Sequence, residues 1–315
     1  MFWGVAMSAE IERIMDVSEG PARLRLENRL LVLEGPENRC WSAPVEEIAV
    51  VVLSTEWVRL SAPVLTALAA HGGVLIACDR RGLPVATTLP LRGHTLFPQR
   101  LRLQIAAGRP CQKRAWKALV RAKIRAQAGV LRRLHGEDGG LETLVEKVRS
   151  GDPENVEAEA ARRYWPRVFA LPEFRRDPDS AEAPNNLLNY GYAVLRGMVA
   201  RALVAAGLTP ALGLHHRHRE NAFALADDLM EPFRPIVDEQ VARILRGTGR
   251  EVGLDQEIKR RLLEPMVGRY FYEGAWRKLA TILHCLAARL VDVFEGRANK
   301  DWPLPTSWDG VWRSE

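Results

Sequence analysis

The chain has 315 residues, 47% hydrophobic and 27% charged, enough for about two domains and a core of normal size. Its net charge of +6 is segregated: residues 80–136 hold fourteen Lys and Arg and no Asp or Glu. In the rest, 31 basic residues face 39 acidic ones, so the basic stretch suits a polyanionic partner better than it suits a merely solvated helix face. Cys40, Cys78, Cys111 and Cys285 are far apart, with no CxxC pair and no zinc spacing, which argues against a disulfide frame. Cys78 and Cys285 lie in apolar runs and are expected to be buried thiols. The opening MFWGVAMSAEIERIM lacks the basic and apolar regions of a signal peptide. The longest apolar run, 187–206, carries Arg196 and Arg201. Neither secretion nor a bilayer span is expected, and a reducing cytoplasm is the default.

The first ninety residues read mostly as β. ARLRLE and RLLVLEG flank a polar Glu-Asn-Arg turn and suggest a hairpin, and VEEIAVVVLS suggests a buried strand. SAPVLTALAAH has helical spacing, with Pro63 in its first turn and Gly72-Gly73 as its stop. VLIACD is another buried strand, and GLPVATTLPLRG reads as an extended connector. After about residue 94 the period becomes helical. A long helix is expected over 113–134, with Trp116, Leu119, Val120, Ile124 and Leu131 on its apolar side. Arg114, Lys117, Arg121 and Arg125 recur on another side. Further helices are expected over 142–149, 156–169, 187–206, 222–231, 236–245, 254–263 and 276–295. The tail DWPLPTSWDGVW is too rich in Pro and Trp for a helix. The expected class is α+β: a small β-rich domain over 1–93, then a larger all-helical domain over 94–315.

Three residues stand out as candidates for chemistry. At helical spacing Glu157 shares a face with Ala160, Ala161, Tyr164 and Val168, and a carboxylate on such a face needs a metal or an arginine partner. His216 follows the Gly207, Pro210 and Gly213 punctuation, close to His215 and His218, at a loop-to-helix junction. No cysteine lies near enough to complete a structural zinc site. Glu231 precedes Pro232, where its helix ends or kinks, and Asp227 and Asp228 lie close enough to crowd the same side. Crowded carboxylates repel unless a cation or protons neutralise them; a solvated acidic turn beside Arg234 is the plainer alternative. Two carboxylates and an imidazole suit Mg²⁺ or Mn²⁺ with open positions. There is no GxxxxGK[ST] loop for a nucleoside triphosphate and no GxSxG elbow for acyl transfer.

Taken together, VEAEAARRYW, LTALAAHGGVLIACDRRGLPVATTLPLRGH, QRLRLQIAAG and LNYGYAVLRGMVARALVAAGLTPALGLHHRHRENAFALADDLMEPFRPIVD resemble one family. It is the CRISPR-associated integrase of the adaptation module, in its type II form, and the similarity runs from about Ile11 nearly to the end. The resemblance implies an N-terminal β domain, which serves as the dimerisation domain, and a C-terminal helical catalytic domain. It implies a homodimer, two of which flank a dimer of the second adaptation protein in a heterohexamer, with the type II effector nuclease helping to choose the DNA. By the family's EAxAAxxY, LGxHH and PFRP motifs, the implied metal ligands and catalytic residues are Glu157, His216 and Glu231. Asp228 is a supporting acid and the alternative for the third ligand. His218, Ala222 and the charged RHRE of 217–220 depart from the usual pattern.

The expected activity is metal-dependent DNA integration, with Mg²⁺ or Mn²⁺ as cofactor. The 3′-hydroxyl of a captured DNA end attacks a CRISPR repeat phosphodiester, and the basic stretch, Arg114, Lys117, Arg121 and Arg125 among it, grips phosphate. Two other readings use the same residues: a metal-dependent nuclease that cleaves with water, and a DNA-binding scaffold whose acids are structural.

Overall fold

The computed structural model describes residues 13–80, 82–90, 93–249, 252–297, 302–305 and 310–311. The N-terminal segment read above for a signal peptide lies largely outside them.

The N-terminal region is built from β1 (Arg13–Val17), β2 (Ala22–Glu27), β3 (Leu30–Glu34), β4 (Cys40–Pro44), β5 (Ile48–Leu53), β6 (Val58–Leu60), α1 (Ala62–Ala70), β7 (Val74–Cys78) and β8 (Pro84–Thr88). The β2–β3 hairpin forms as expected. Its two turn residues, Asn28 and Arg29, both take positive φ (48° and 67°), which matches the twist of the flanking strands. Two four-stranded sheets result, in the orders β1-β5-β7-β8 and β4-β3-β2-β6. In the first, β1, β5 and β7 run parallel and β8 antiparallel at the edge. The segment expected to be a mere connector is therefore a strand over Pro84–Thr88. Proline is tolerated there because it begins the edge strand.

The unbroken apolar runs of β5 and β7 follow from burial on both faces. Val51 and Leu75 point into a small core shared with the second sheet and α1, through Leu24, Leu31, Val64 and Leu68. Val50, Val52, Val74 and Ile76 point the other way, into the core of the helical region. Gly197 lets a helix approach β7 closely, because a Cβ there would stand 2.8 Å from Ile76 Cδ1.

That helix is α6 (Asn185–Ala205), set among α2 (Phe97–Ala106), α3 (Arg109–His135), α4 (Glu142–Val145), α5 (Val156–Val168), α7 (Ala224–Met230), α8 (Arg234–Thr248), α9 (Gln256–Leu263) and α10 (Leu279–Phe294). The expected apolar side of α3 is correct: Trp116, Leu119, Val120, Ile124 and Leu131 are all buried. The second region is not all-helical. A hairpin of β9 (Arg269–Tyr272) and β10 (Ala275–Lys278) interrupts it, and β11 (Gly310–Val311) pairs with β9. Tyr270 and Tyr272 alternate inward with Arg269 and Phe271 outward, a strand pattern too short to outweigh the helical run that follows it. The helix expected from 276 starts at Leu279 instead. In the tail, Trp302 and Leu304 pack on the main core. All four cysteines are free, and Cys78 and Cys285 are half-buried rather than buried; burial still pushes the Cys78 thiol up to about 11. Among the described residues no helix is long and apolar enough to cross a membrane.

Candidate active site

Glu157 lies in the first turn of α5, whose leading N–H groups are capped from outside the helix. The Asp152 carboxylate accepts from Val156 N–H and Glu157 N–H, each at 3.0 Å. Ala160, Tyr164 and Val168 bury the same side of the helix, as the spacing predicts. Glu231 opens a 3-10 turn, Glu231–Phe233, between α7 and α8, and its side chain is only 5% exposed. The two carboxylates come from distant parts of the chain and meet on one group, the Lys123 ammonium of α3. Lys123 Nζ donates to Glu157 Oε1 at 2.6 Å and lies 2.6 Å from Glu231 Oε2. Glu231 Oε2 is buried, and the Lys123 ammonium is the group that meets it. Arg234 Nε holds the other oxygen, Oε1, at 3.0 Å.

These charges depend on one another. Burial alone would raise the Glu231 carboxyl, but Arg234 and Lys123 outweigh it and hold it at about 2. Burial likewise works against the Lys123 ammonium, and Glu231 and Glu157 overcome it, so its pKa stands above the ordinary lysine value.

His216 is held from the other side. Asp228, fully buried, accepts N–H bonds from Leu214 (2.5 Å), His215 (3.0 Å) and His216 (3.2 Å). Its Oδ1 also lies 2.6 Å from His216 Nδ1. A carboxylate already accepting three N–H groups assigns the proton to Nδ1, which leaves Nε2 as the metal-competent nitrogen of the neutral ring. The Asp228 hydrogen bond raises the His216 pKa against the opposing effect of burial. Trp116 supports the loop: the His215 ring stacks on it with centroids 4.2 Å apart, and His216 meets it edge-on at 5.8 Å.

The loop closes this tightly because residue 213 is glycine. A Cβ there would stand 2.3 Å from His216 O and 3.0 Å from Asp228 Oδ2. Gly213→Ala is expected to destabilise the protein by about 2 kcal/mol, the scale of an overpacked site. Urea unfolding measures it; a midpoint equal to wild type contradicts the packing described.

The acids at 227, 228 and 231 do not crowd one side. Asp227 accepts from Asn221 Nδ2 at 2.8 Å, Asp228 turns to the 214–216 loop, and Glu231 turns to Lys123 and Arg234. The helix ends at Met230, and the tighter 3-10 turn redirects Glu231. Among the described residues no three or more His, Cys, Asp or Glu side chains are grouped to hold a metal ion as they stand. His218 is exposed on the same loop. Of the basic row on α3, Arg114 is exposed and Lys117 half-exposed. Arg121 pairs with Glu146 at 3.0 Å, and Arg125 lies 3.7 Å from Glu142 and 3.6 Å from Glu146.

Sequence reasoning missed Lys123. Its signal was a charged residue four places after Leu119 and three after Val120, on the apolar side of α3. It also missed a buried polar group beneath the site. Asp238 on α8 accepts from Tyr164 OH at 3.0 Å and from Tyr192 OH, and Arg234 lies over the Tyr192 ring at 4.6 Å. Burial pushes the Asp238 carboxyl up to about 7, against the two tyrosines and Arg234. A carboxyl raised above its unfolded value stabilises the fold fully at low pH and loses that contribution as pH rises toward 7. Asp238→Asn is therefore expected to flatten the fall in stability between about pH 4 and pH 7. Chemical unfolding across that range checks it; an unchanged slope contradicts the assignment.

The fold and the site define a class: an α+β protein in which two glutamates meet on one lysine of a basic helix, with an acid-held histidine packed against the same helix. Residues 16–251 match the family model of CRISPR associated protein Cas1. Over 246 residues the chain is 37% identical to the CRISPR-associated endonuclease Cas1 of Neisseria meningitidis serogroup C, covering 78% of this chain and 80% of that one. It is 32% identical over 247 residues to a CRISPR-associated endonuclease Cas1 of Pyrobaculum aerophilum, covering 74% and 83%. The chain belongs to the Cas1 family. A casposase bound to integration product shares the fold, with a TM-score of 0.76 at 18% identity over 94% of both chains. A chain of a Cas6-RT-Cas1–Cas2 complex does so at 0.74 and 18%, over 94% of this chain and 36% of that one. A Cas1 protein of Thermotoga maritima does so at 0.68 and 15%, over 92% and 99%.

Proposed function

We propose that this protein is a divalent-metal-dependent DNA integrase that inserts captured DNA into a CRISPR array. One observation carries the reading: Glu157 and a buried oxygen of Glu231 face the same cation, near a histidine whose Nδ1 is held by Asp228. Two carboxylates and an imidazole Nε2 fit Mg²⁺ or Mn²⁺, so Glu157, His216 and Glu231 are the proposed ligands. Asp228, with its oxygens committed to three N–H groups and His216, is the orienting acid rather than a ligand. When bound, the ion supplies charge stabilisation at the phosphoryl group and eases deprotonation of the attacking hydroxyl.

The chain's own residues position the reactants. Arg114 and Lys117 on α3 take up phosphate, while Arg121 and Arg125 reach it only by leaving Glu146 and Glu142. The 3′-oxygen of the captured end bonds to phosphorus at the repeat boundary. The bond from phosphorus to the 3′-oxygen of the flanking target-strand nucleotide breaks, and that leaving oxygen takes up a proton as the attacking hydroxyl gives one up. Neutralising Arg114 and Lys117 together is expected to lower the slope of log affinity against log salt by roughly 2 on duplex DNA. Fluorescence anisotropy over a salt series measures it, and an unchanged slope removes both residues from the phosphate contacts.

The name endonuclease on the curated relatives favours a second reading, cleavage by water at the same site. Donor duplexes ending in 3′-hydroxyl or 3′-deoxy distinguish the two. Integration predicts joined product only with the hydroxyl, whereas nicking that ignores the donor end supports hydrolysis. The Cas1–Cas2 complexes and the product-bound casposase among the structural relatives support the second adaptation protein and DNA as partners, and the proposed assembly is a heterohexamer containing two homodimers of this chain. The type II effector nuclease is a further proposed partner, and the cytoplasm the proposed location.

A further inference from the structure

Lys123 is a charged residue that the proposed reaction leaves without a task. It is held more closely than the α3 cations assigned to phosphate, with Nζ 2.6 Å from both Glu157 Oε1 and Glu231 Oε2 and the side chain 14% exposed. We infer that Lys123 is a resident countercation: it fills the place between Glu157 and Glu231 in the metal-free protein and makes metal binding depend on DNA phosphate. The inference rests on the metal-site reading above.

Charge balance sets what this cluster can accept. Glu157 and Glu231 carry two negative charges, and Lys123 and Arg234, in contact with them, carry two positive ones. The cluster is neutral without any ion. That accounts for a buried and a half-buried carboxylate standing close together with one ammonium between them. For Glu157 and Glu231 to accept a divalent ion, they must release the ammonium from between them, or a buried site takes on two uncompensated positive charges. Arg234 is tied to the opposite oxygen, Glu231 Oε1, and can stay. Lys123 has a flexible four-carbon stem and a mobile ammonium. Among the described residues its ion pairs are those with Glu157 and Glu231, so leaving them takes another anion to turn to. A DNA phosphate at the site supplies one, and Lys123 passing from carboxylate to phosphate frees both ligands and adds a contact to the DNA. Metal and DNA then bind cooperatively through one side chain, and each raises the affinity of the other by the same factor.

The test is Mn²⁺ binding by calorimetry and electron paramagnetic resonance, on the full chain, with and without a duplex carrying 3′-deoxy ends. For wild type, the duplex is expected to tighten Mn²⁺ binding about tenfold or more, within the usual range of coupled sites. Lys123→Met keeps the stem and removes the charge. It is expected to bind Mn²⁺ about tenfold more tightly than wild type without DNA, and to gain little from the duplex. Lys123→Arg, which keeps the charge, is expected to retain the coupling. Should Lys123→Met not fold by circular dichroism, Lys123→Gln serves, and the wild-type comparison stands by itself. Wild-type Mn²⁺ affinity indifferent to DNA, or a methionine variant no tighter than wild type, overturns the inference. His216→Ala separates the two levels. If it binds Mn²⁺ as wild type does, the metal-site reading fails; if it loses Mn²⁺ while Lys123→Met matches wild type, only the countercation fails.

Discussion

His216→Ala is expected to abolish strand transfer while leaving DNA affinity, measured without divalent metal, within about twofold of wild type. The reason is where the imidazole stands. It is held by Asp228 and edged against Trp116. Losing one ligand of the proposed site removes several kcal/mol of charge stabilisation, which is about a 10²- to 10³-fold loss of rate or more. Gel assays of joined product and anisotropy on the same duplex read the two quantities separately. An active His216→Ala enzyme removes His216 from the site, and an inactive variant that has also lost DNA binding points to a collapsed loop instead.

Asp228→Asn has the second large effect, and it acts on the fold and the site together. The carboxylate gathers three backbone N–H groups and the His216 ring with no exposure to water. An amide offers one oxygen and points its NH₂ at donors, so at least one buried N–H is stranded. The expected loss is about 3 kcal/mol of stability. With its partner gone, the His216 ring is no longer oriented, and metal affinity is expected to fall about 10- to 100-fold. The His216 pKa, now raised by the Asp228 hydrogen bond, is expected to drop toward the ordinary histidine value, which NMR titration follows. A stable variant with wild-type metal affinity and an unmoved titration contradicts the orienting role.

Much of this was legible in the order of residues, and the exceptions have physical causes. The hairpin over 22–34, the two buried strands, α1 and the apolar side of α3 follow from local alternation and helical spacing, which tertiary contacts did not override. β8 was hidden because Gly82 and Pro84 punctuate its approach, yet at a sheet edge a starting proline costs no ladder bond. The β9–β10 hairpin turns on Glu273 and Gly274, at φ 48° and 77°, a two-residue signal embedded in what continues as a helical pattern. At the site, Glu157 and His216 could be singled out from their own helix face and loop. The meeting of Glu157, Glu231 and Lys123 could not, because it joins three elements, α3, α5 and the 3-10 turn after α7, that only packing brings together. The separate directions of Asp227, Asp228 and Glu231 were equally hidden, since helical spacing no longer holds beyond Met230. The segregated positive charge was visible as composition. Its partial neutralisation across the fold, by Glu142 and Glu146 on Arg121 and Arg125 and by Glu239 on Arg133, was not.

The central claim is that Glu157, His216 and Glu231 hold one divalent ion while Asp228 stays behind His216. Anomalous diffraction from crystals of the protein soaked in Mn²⁺ with bound duplex tests it most directly. The predicted result is one manganese peak within about 2.0–2.3 Å of His216 Nε2 and of an oxygen from each glutamate, with Lys123 Nζ moved off the carboxylates. A peak ligated by Asp228 in place of Glu231, or manganese bound anywhere that leaves the Lys123 bridge intact, contradicts it.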